Sequence, residues 1–219
     1  FTVASDDNKQ KYGNAIGGLE YESIFALAPM VGCNDLSAAT YVNALCNEDG
    51  MDPISLGGSI SAAMELYEEG VITDKETGGI KLNFGNAEAM CQVTEQAARG
   101  EGFGAEVGLG SKRLCEKYGR PELSVSVKGL EFPGYDPRAM QGMGLAYATS
   151  NRGACHMRAS PFADDFTHVR PDGKAQIVKD TQDANAGKDA TGLCAFAGNA
   201  WDLNDYAAQI DAACGGGWD

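Results

Sequence analysis

Basic side chains are scarce. Seventeen Lys and Arg stand against thirty-one Asp and Glu, a formal net charge of −14 with a pI near 4.5. That balance excludes a nucleic-acid partner, whose phosphates need a basic patch, and an anionic membrane surface; its plain use is solubility. Long apolar runs are missing too. No stretch approaches the roughly 20 residues of a membrane helix, because Gly, Pro or a polar residue interrupts every few positions. Paired cysteines are absent: Cys33, Cys46, Cys91, Cys115, Cys155, Cys194 and Cys214 are odd in number and form no CxxC. A disulfide scaffold is thereby excluded and a reducing cytoplasm is expected. Histidine occurs only twice, strand patterning is sparse, and no internal repeat is visible. The chain opens on Phe1 without a signal-peptide pattern and stops at "AACGGGWD" without a cap or polar tail, so a piece of a longer chain is expected.

What is present is globular material, 43% hydrophobic and 22% charged over 219 residues, enough for one large domain or two small ones. Helical spacing dominates. "SDDNKQKYGN" (5–14) reads as a turn or loop, and 20–31 as helical. In "NDLSAATYVNALCNEDG" (34–50), Asp35 is a good N-cap, Leu36, Ala39, Val42, Leu45 and Cys46 share a face, and Gly50 is a natural stop. Further helices are expected over 59–69, 86–102, 105–119, 191–199 and 203–214. Another spans 137–153, with Pro137 in its first turn. Residues 121–138 alternate like a short strand and turn twice at proline, which puts a domain junction near 129. Residues 160–188 show no period and read as a long loop or lid. The expected class is all-α: two packed multihelical domains, 1–128 and 129–219, with little strand. "GFGAEVGLG" (102–110) is only a turn between helices, since a dinucleotide fingerprint needs a preceding strand.

Three segments could carry chemistry. "NEDGMD" (47–52) closes one expected helix, and "DATGLC" (189–194) opens another. Both place Gly, which lets the backbone approach a ligand closely, beside a carboxylate, which can accept paired hydrogen bonds from an amino-heterocycle. Each alone is ordinary turn chemistry. The third segment, "ATSNRGACHMRAS" (148–160), sets Cys155 beside His156. Cys155 reads as a packing residue, because neighbours on a helix point apart. Cys46 and Cys91 read as small buried hydrophobes. On residues alone, Glu22 is a solvated helix residue, His156 a capping or satisfied core histidine, and Cys194 a buried structural cysteine.

The runs "EYESIFALAPMVGCNDLSAATYVNALCNEDGMDPISLGGSISAAMELYEEG" (20–70) and "YDPRAMQGMGLAYATSNRGACHMRA" (135–159) closely resemble the tungsten-dependent aldehyde ferredoxin oxidoreductase family. "GFGAEVGLGSKRLCEKYG", "VKGLEFPGYDPR" and "DATGLCAF" follow in the family's order. The resemblance covers nearly everything except 160–188. It implies a longer chain of three domains: a β domain as cofactor base and two helical domains closing over it. Residues 1–128 resemble the second domain, and 129–219 the first half of the third. The implied cofactors are tungsten held by two pterin dithiolenes (tungstopterin) and a [4Fe–4S] cluster.

Residue by residue, the resemblance makes Asp189 a pterin contact and lets Gly192 and Leu193 shape its turn. Cys194 corresponds to the fourth cluster ligand, a role suited to thiolate. "NEDGMD" corresponds to the second pterin motif through Asn47, Gly50 and Asp52, with Asn47 in place of the family's Asp; an amide keeps an acceptor but loses the charge. Glu22 and His156 correspond to acid–base groups near the metal, able to move protons for an aldehyde substrate. His168 has no assigned role. The family's C-x-x-C-x-x-x-C cluster run does not precede Glu22, and the β domain is not in this sequence. The implied activity is oxidation of an aldehyde to a carboxylic acid in an anaerobe, with electrons passed to ferredoxin. The isolated chain is expected to be inactive or nearly so. The resemblance leaves room for a homodimer. Two alternatives stand beside this reading: another reaction of the family, such as acid or aromatic thioester reduction, and a non-catalytic helical scaffold.

Overall fold

A computed structural model describes residues 6–13, 15–16, 18–167 and 170–216. Its elements are helices α1 (Asp6–Tyr12), α2 (Tyr21–Leu27), α3 (Leu36–Asp49), α4 (Pro53–Glu68), α5 (Asp74–Thr77), α6 (Ala87–Arg99), α7 (Gly104–Val107), α8 (Ser111–Lys117), α9 (Gln141–Thr149), α10 (Phe162–Thr167), α11 (Lys174–Asp189) and α12 (Leu203–Cys214). Strands β1 (Ser126–Val127) and β2 (Leu130–Glu131) form the sole sheet among the described residues, an antiparallel hairpin pairing Ser126 with Glu131 and Val127 with Leu130. The chain is multihelical, and no helix among the described residues is long and apolar enough to cross a membrane. It divides into two compact units, 1–134 and 135–219. The division falls five residues beyond the junction expected near 129, because the hairpin and the residues after it are tied back into the first unit.

In the first unit, α4 is the central element. Leu56, Ile60, Ala63, Met64 and Leu66 are buried along it, packed with Leu27 and Val31, with Val42 and Cys46 of α3 and with Met90 and Val93 of α6. Helix ends follow the cap rules. Asp35 Oδ1 accepts from the Ser37 and Ala38 amides at 2.9 and 3.1 Å, and Gly50 ends α3 in the left-handed conformation that its missing Cβ allows. On the expected shared face of α3, Ala39, Val42 and Cys46 are buried, while Leu36 in the first turn is exposed. Helix α4 begins at Pro53, two residues before the segment 55–72 that reads as helical and six before its best-patterned stretch, because Asp52 Oδ1 caps it through the Ile54 and Ser55 amides at 2.8 and 3.2 Å.

Two further expectations change here. The segment read as a loop at 5–14 carries α1. Its single large apolar residue, Tyr12, is buried and donates its hydroxyl to Asp35 Oδ2 at 2.9 Å, and Asn8 donates to Ser37 Oγ at 2.9 Å. A tertiary anchor of that kind leaves no periodic signal. The helix expected over 105–119 is two short helices, broken at Gly108-Leu109-Gly110 where Gly110 takes a φ of +94°.

In the second unit, α9 packs on α10 and α11 around Met143, Ala146, Tyr147, Ala159 and Val178. Pro137 lies in a turn, and α9 starts only at Gln141. The expected loop at 160–188 holds two helices. Its polarity hid them: α10 is short, and α11 is laced by i,i+4 pairs, Lys179–Asp183 and Gln176–Asp180, each at 2.6 Å. His168 lies outside the described residues. Residues 191–196, expected to open a helix, form turns instead.

The crossing of α2 on α4 depends on Gly57. A Cβ there would stand 2.5 Å from the Ala26 carbonyl oxygen, so Gly57→Ala is expected to cost about 1–3 kcal/mol as overpacking, read as a lower urea midpoint with an unchanged m-value. A second expectation concerns alkaline pH. Burial raises the Cys46 and Cys91 thiols from 9.0 to about 12, chiefly by desolvating the thiolate. The folded state therefore holds these protons after the unfolded chain has released them. Their stability contribution is complete below pH 9 and is lost as the pH rises toward 12. A Cys46→Ala, Cys91→Ala double variant should show a flatter decline of thermal midpoint across that window.

Candidate functional site

Glu22 sits in the first turn of α2, and it is not solvated. Its residue is 2% exposed, and Oε2 accepts the Gly134 amide at 2.8 Å. The N-cap Glu20 accepts the Glu22 amide at 3.0 Å. Burial pushes the Glu22 carboxyl above the ordinary range, the Gly134 amide opposes that shift, and the like charge of Glu20 adds to it. A carboxyl so placed is tuned toward holding and releasing a proton nearer neutrality.

The "NEDGMD" segment is the tight joint between α3 and α4. Asn47 is exposed near the end of α3, Gly50 has a φ of +72° with open space where a Cβ would be, and exposed Asp52 caps α4. Met51 donates its amide to the Cys46 carbonyl at 2.9 Å. Asp52 Oδ1 is thus engaged by the helix, which leaves Oδ2 as its acceptor toward solvent.

In the second unit, His156 is half-buried in a turn that follows α9 by several residues, not at a helix end. Its ring lies against Tyr135, centroids 5.7 Å apart, and Tyr135 stacks in turn on Phe162 at 4.8 Å. The Tyr147 hydroxyl donates to the Tyr135 carbonyl at 3.0 Å, so the aromatic row is held by a buried residue of α9. Cys155 is buried, in keeping with a packing role, and the Arg152 guanidinium approaches its sulfur at 3.4 Å.

The "DATGLC" segment ends a helix instead of starting one. Asp189 is the last residue of α11, and its Oδ2 accepts Arg158 Nη1 at 2.7 Å. Gly192 takes a φ of +74° and donates its amide to the Asp189 carbonyl at 3.1 Å; the Leu193 amide reaches Thr191 Oγ1 at 3.3 Å. Leu193 and Cys194 are exposed, so Cys194 is not the buried structural thiol that its residue type alone suggests. Reading the sequence for motifs missed Arg158, Tyr135 and the Gly134 amide. Arg158 lies within the segment 148–160 and Tyr135 and Gly134 within the run 127–138, but none has an assigned role there, and each is brought beside its partner by chain folding.

The fit of these residues to the implied cofactors has an observable side. Arg158 Nε is a buried donor without a partner, beside a carboxylate with a remaining oxygen. No group of three His, Cys, Asp or Glu side chains able to hold a metal ion occurs among the described residues. Two thiols are exposed among the described residues, Cys194 and Cys214; Cys194 lies in the turn after Asp189, and a lone thiol with polar anchors fits only part of a cofactor site.

The described residues thus offer a buried acid and, in each unit, an exposed glycine turn beside a carboxylate. Comparison with known proteins makes this specific: the family model described as aldehyde ferredoxin oxidoreductase, domains 2 and 3, matches residues 2–219. The chain belongs to the aldehyde ferredoxin oxidoreductase family. It is 43% identical over 211 residues to the tungsten-containing aldehyde ferredoxin oxidoreductase of Pyrococcus furiosus, covering 92% of this chain and 34% of that protein. The enzyme of the same name from Thermococcus kodakarensis is 42% identical over 211 residues with the same coverage. The WOR-like subunit of an aliphatic sulfonate oxidoreductase from Pyrococcus furiosus is 27% identical over 158 residues, 67% of this chain. The chain spans about a third of the length of the first two relatives.

The Glu22 geometry gives a stability test. Because folding raises this carboxyl above its ordinary value of 4.5, its contribution is full below that pH and is lost as the pH climbs through the folded value. At pH 7, Glu22→Gln keeps an acceptor for the Gly134 amide and removes a buried charge. Its thermal midpoint should equal or exceed that of the parent. Glu22→Ala orphans the amide and should cost about 1–2 kcal/mol, read by chemical denaturation.

Proposed function

We propose that this chain is the helical part of a longer tungstopterin iron–sulfur oxidoreductase that oxidises an aldehyde with water to a carboxylic acid and passes two electrons to ferredoxin. The observation that carries the reading is Glu22, an acid buried at a helix start with a raised pKa, in a chain that aligns along most of its length with tungsten-containing aldehyde ferredoxin oxidoreductases. A structural acid in a solvated helix would need neither the burial nor the single backbone donor.

The residues divide the work. Glu22 and His156 hold and move protons for the bound aldehyde and water, Glu22 through its raised carboxyl and His156 through its imidazole. The Tyr135 ring keeps the imidazole in place. Asp189 accepts N–H groups of one pterin, with Gly192 and Leu193 setting the turn that lets the backbone come close. Gly50 and Asp52 do the same for the other, where Asn47 offers a neutral amide. Cys194, exposed and not in a disulfide, supplies the fourth ligand of the [4Fe–4S] cluster. When bound, the tungsten–pterin group and the cluster supply the two-electron chemistry and the one-electron path. The remaining cluster ligands and the base of the cofactor site come from the β domain of the longer chain. The 219 residues alone are therefore inactive, and the working protein resides in the cytoplasm. The 27% identical sulfonate oxidoreductase subunit supports a second reading, in which the same frame serves a different substrate. A substrate screen on the full-length protein separates the two.

Metal analysis by mass spectrometry on the full-length protein and on the 219 residues tests the proposal. The full-length protein, purified anaerobically with tungstate supplied, should carry tungsten and about four irons per chain, and the 219 residues neither. A metal-free full-length protein would overturn the enzyme reading in favour of a scaffold. In the full-length protein, Glu22→Gln and His156→Gln should each lower turnover by about 10²–10⁴-fold with tungsten content unchanged. Parental turnover in both variants would remove their proton-transfer roles.

A further inference from the structure

Arg158 lies two residues after His156 in the segment 148–160 but has no assigned role there, and it sits against the start of "DATGLC". Three observations bear on it. Asp189 is the final residue of a sixteen-residue helix, α11. A carboxylate is least welcome there, because the unpaired carbonyls give that end partial negative charge. Arg158 offsets this with a charge-assisted bond, Nη1 to Asp189 Oδ2 at 2.7 Å, both side chains being only about a third exposed. Its Nε, meanwhile, is buried with no partner, and an unmet buried donor costs about 1–3 kcal/mol. If the pair only stapled the 154–160 segment to α11, it would be redundant. Asn185 Nδ2 of the same helix already donates to the Met157 carbonyl at 3.0 Å and reaches Ser160 Oγ at 3.5 Å.

We propose that Arg158 is the positioning residue for the pterin-contacting carboxylate: it fixes Asp189 by Oδ2 and leaves Oδ1 to accept N–H groups of the heterocycle. The inference rests on the pterin reading of Asp189 given above. The chemistry suits a guanidinium better than an ammonium. The planar fork holds a carboxylate in a fixed orientation, whereas lysine offers a single rotating point charge. Arg158 thus acts on the cofactor mainly through Asp189, and the ion pair keeps the acceptor oriented at a helix end that would otherwise repel it.

The test uses the full-length protein, purified anaerobically with tungstate, with pterin per chain read from the fluorescence of the released oxidised pterin and thermal midpoints recorded beside it. Asp189→Asn and Arg158→Gln should each lower pterin retention by roughly 10–100-fold after extended dialysis, the scale for losing a group that orients a ligand. Arg158→Lys should recover part of it. The reversed pair, Arg158→Asp with Asp189→Arg, should recover the thermal midpoint but not the pterin. Wild-type retention in Arg158→Gln, with loss in Asp189→Asn, would overturn the positioning role and leave the pterin reading standing. Wild-type retention in Asp189→Asn would overturn both. Recovery of midpoint and pterin together in the reversed pair would reduce Arg158 to a structural staple. Should Arg158→Gln fail to fold, the Lys variant and the reversed pair decide the matter.

Discussion

A carboxylate taken out of water must find donors, and three such carboxylates organise this molecule. Glu22, Glu131 and Asp165 are each less than 5% exposed, and each is met by backbone amides. Glu131 accepts the Ser111 amide at 2.7 Å, which caps α8 from the hairpin and ties β2 to the helices. Asp165 accepts the Gly142 and Met143 amides at 2.9 Å, starting α9, and binds the buried Lys174 at 2.6 Å. Burial pushes the Lys174 amine down, but its bonds to Asp164 and Asp165 hold it above the ordinary value. Glu22 differs from the other two. Its Oε2 accepts the Gly134 amide, a like charge lies nearby and its pKa is raised. Two of the carboxylates are structural because their lone pairs are well met. In the third, burial raises the carboxyl and favours its protonated form.

Small residues make these arrangements reachable. A Cβ at Gly142 would lie 2.7 Å from Asp165 Oδ1, and one at Gly58 would lie 2.9 Å from the Glu131 side chain. Gly57 lets α2 approach α4 closely enough to bury Glu22 at the start of α2. Glycine lowers helix propensity by about 1 kcal/mol, so Gly57 and Gly58 inside α4 are tolerated for the close packing they permit.

The legible parts of the fold were those with an apolar period and a local cap. Asp35 and Gly50 bracket α3 as their sequence signals indicate, and the expected helix over 86–102 forms as α6 between Asn86 and Gly100. The illegible parts were helices held by distant or polar contacts. Helix α1 depends on Tyr12 reaching Asp35. Helix α11 buries little besides Val178 and its first residue Lys174, and draws on paired charges along its face. For the site, the motif residues could be located from the sequence, but their surroundings could not. Burial of Glu22 and exposure of Cys194 both reversed what the residue types alone suggest.

The sequence by itself determined the helical class, the family and the identity of the candidate residues, because periodicity, caps and motif order are local along the chain. Tertiary structure alone decided which of those residues are tuned. The raised carboxyl of Glu22, the aromatic row at His156 and the Arg158 bond to Asp189 join residues 112, 21 and 31 positions apart in the chain. Desolvation and hydrogen-bond geometry are properties of neighbours in space, and a linear pattern carries no record of them until the chain has folded.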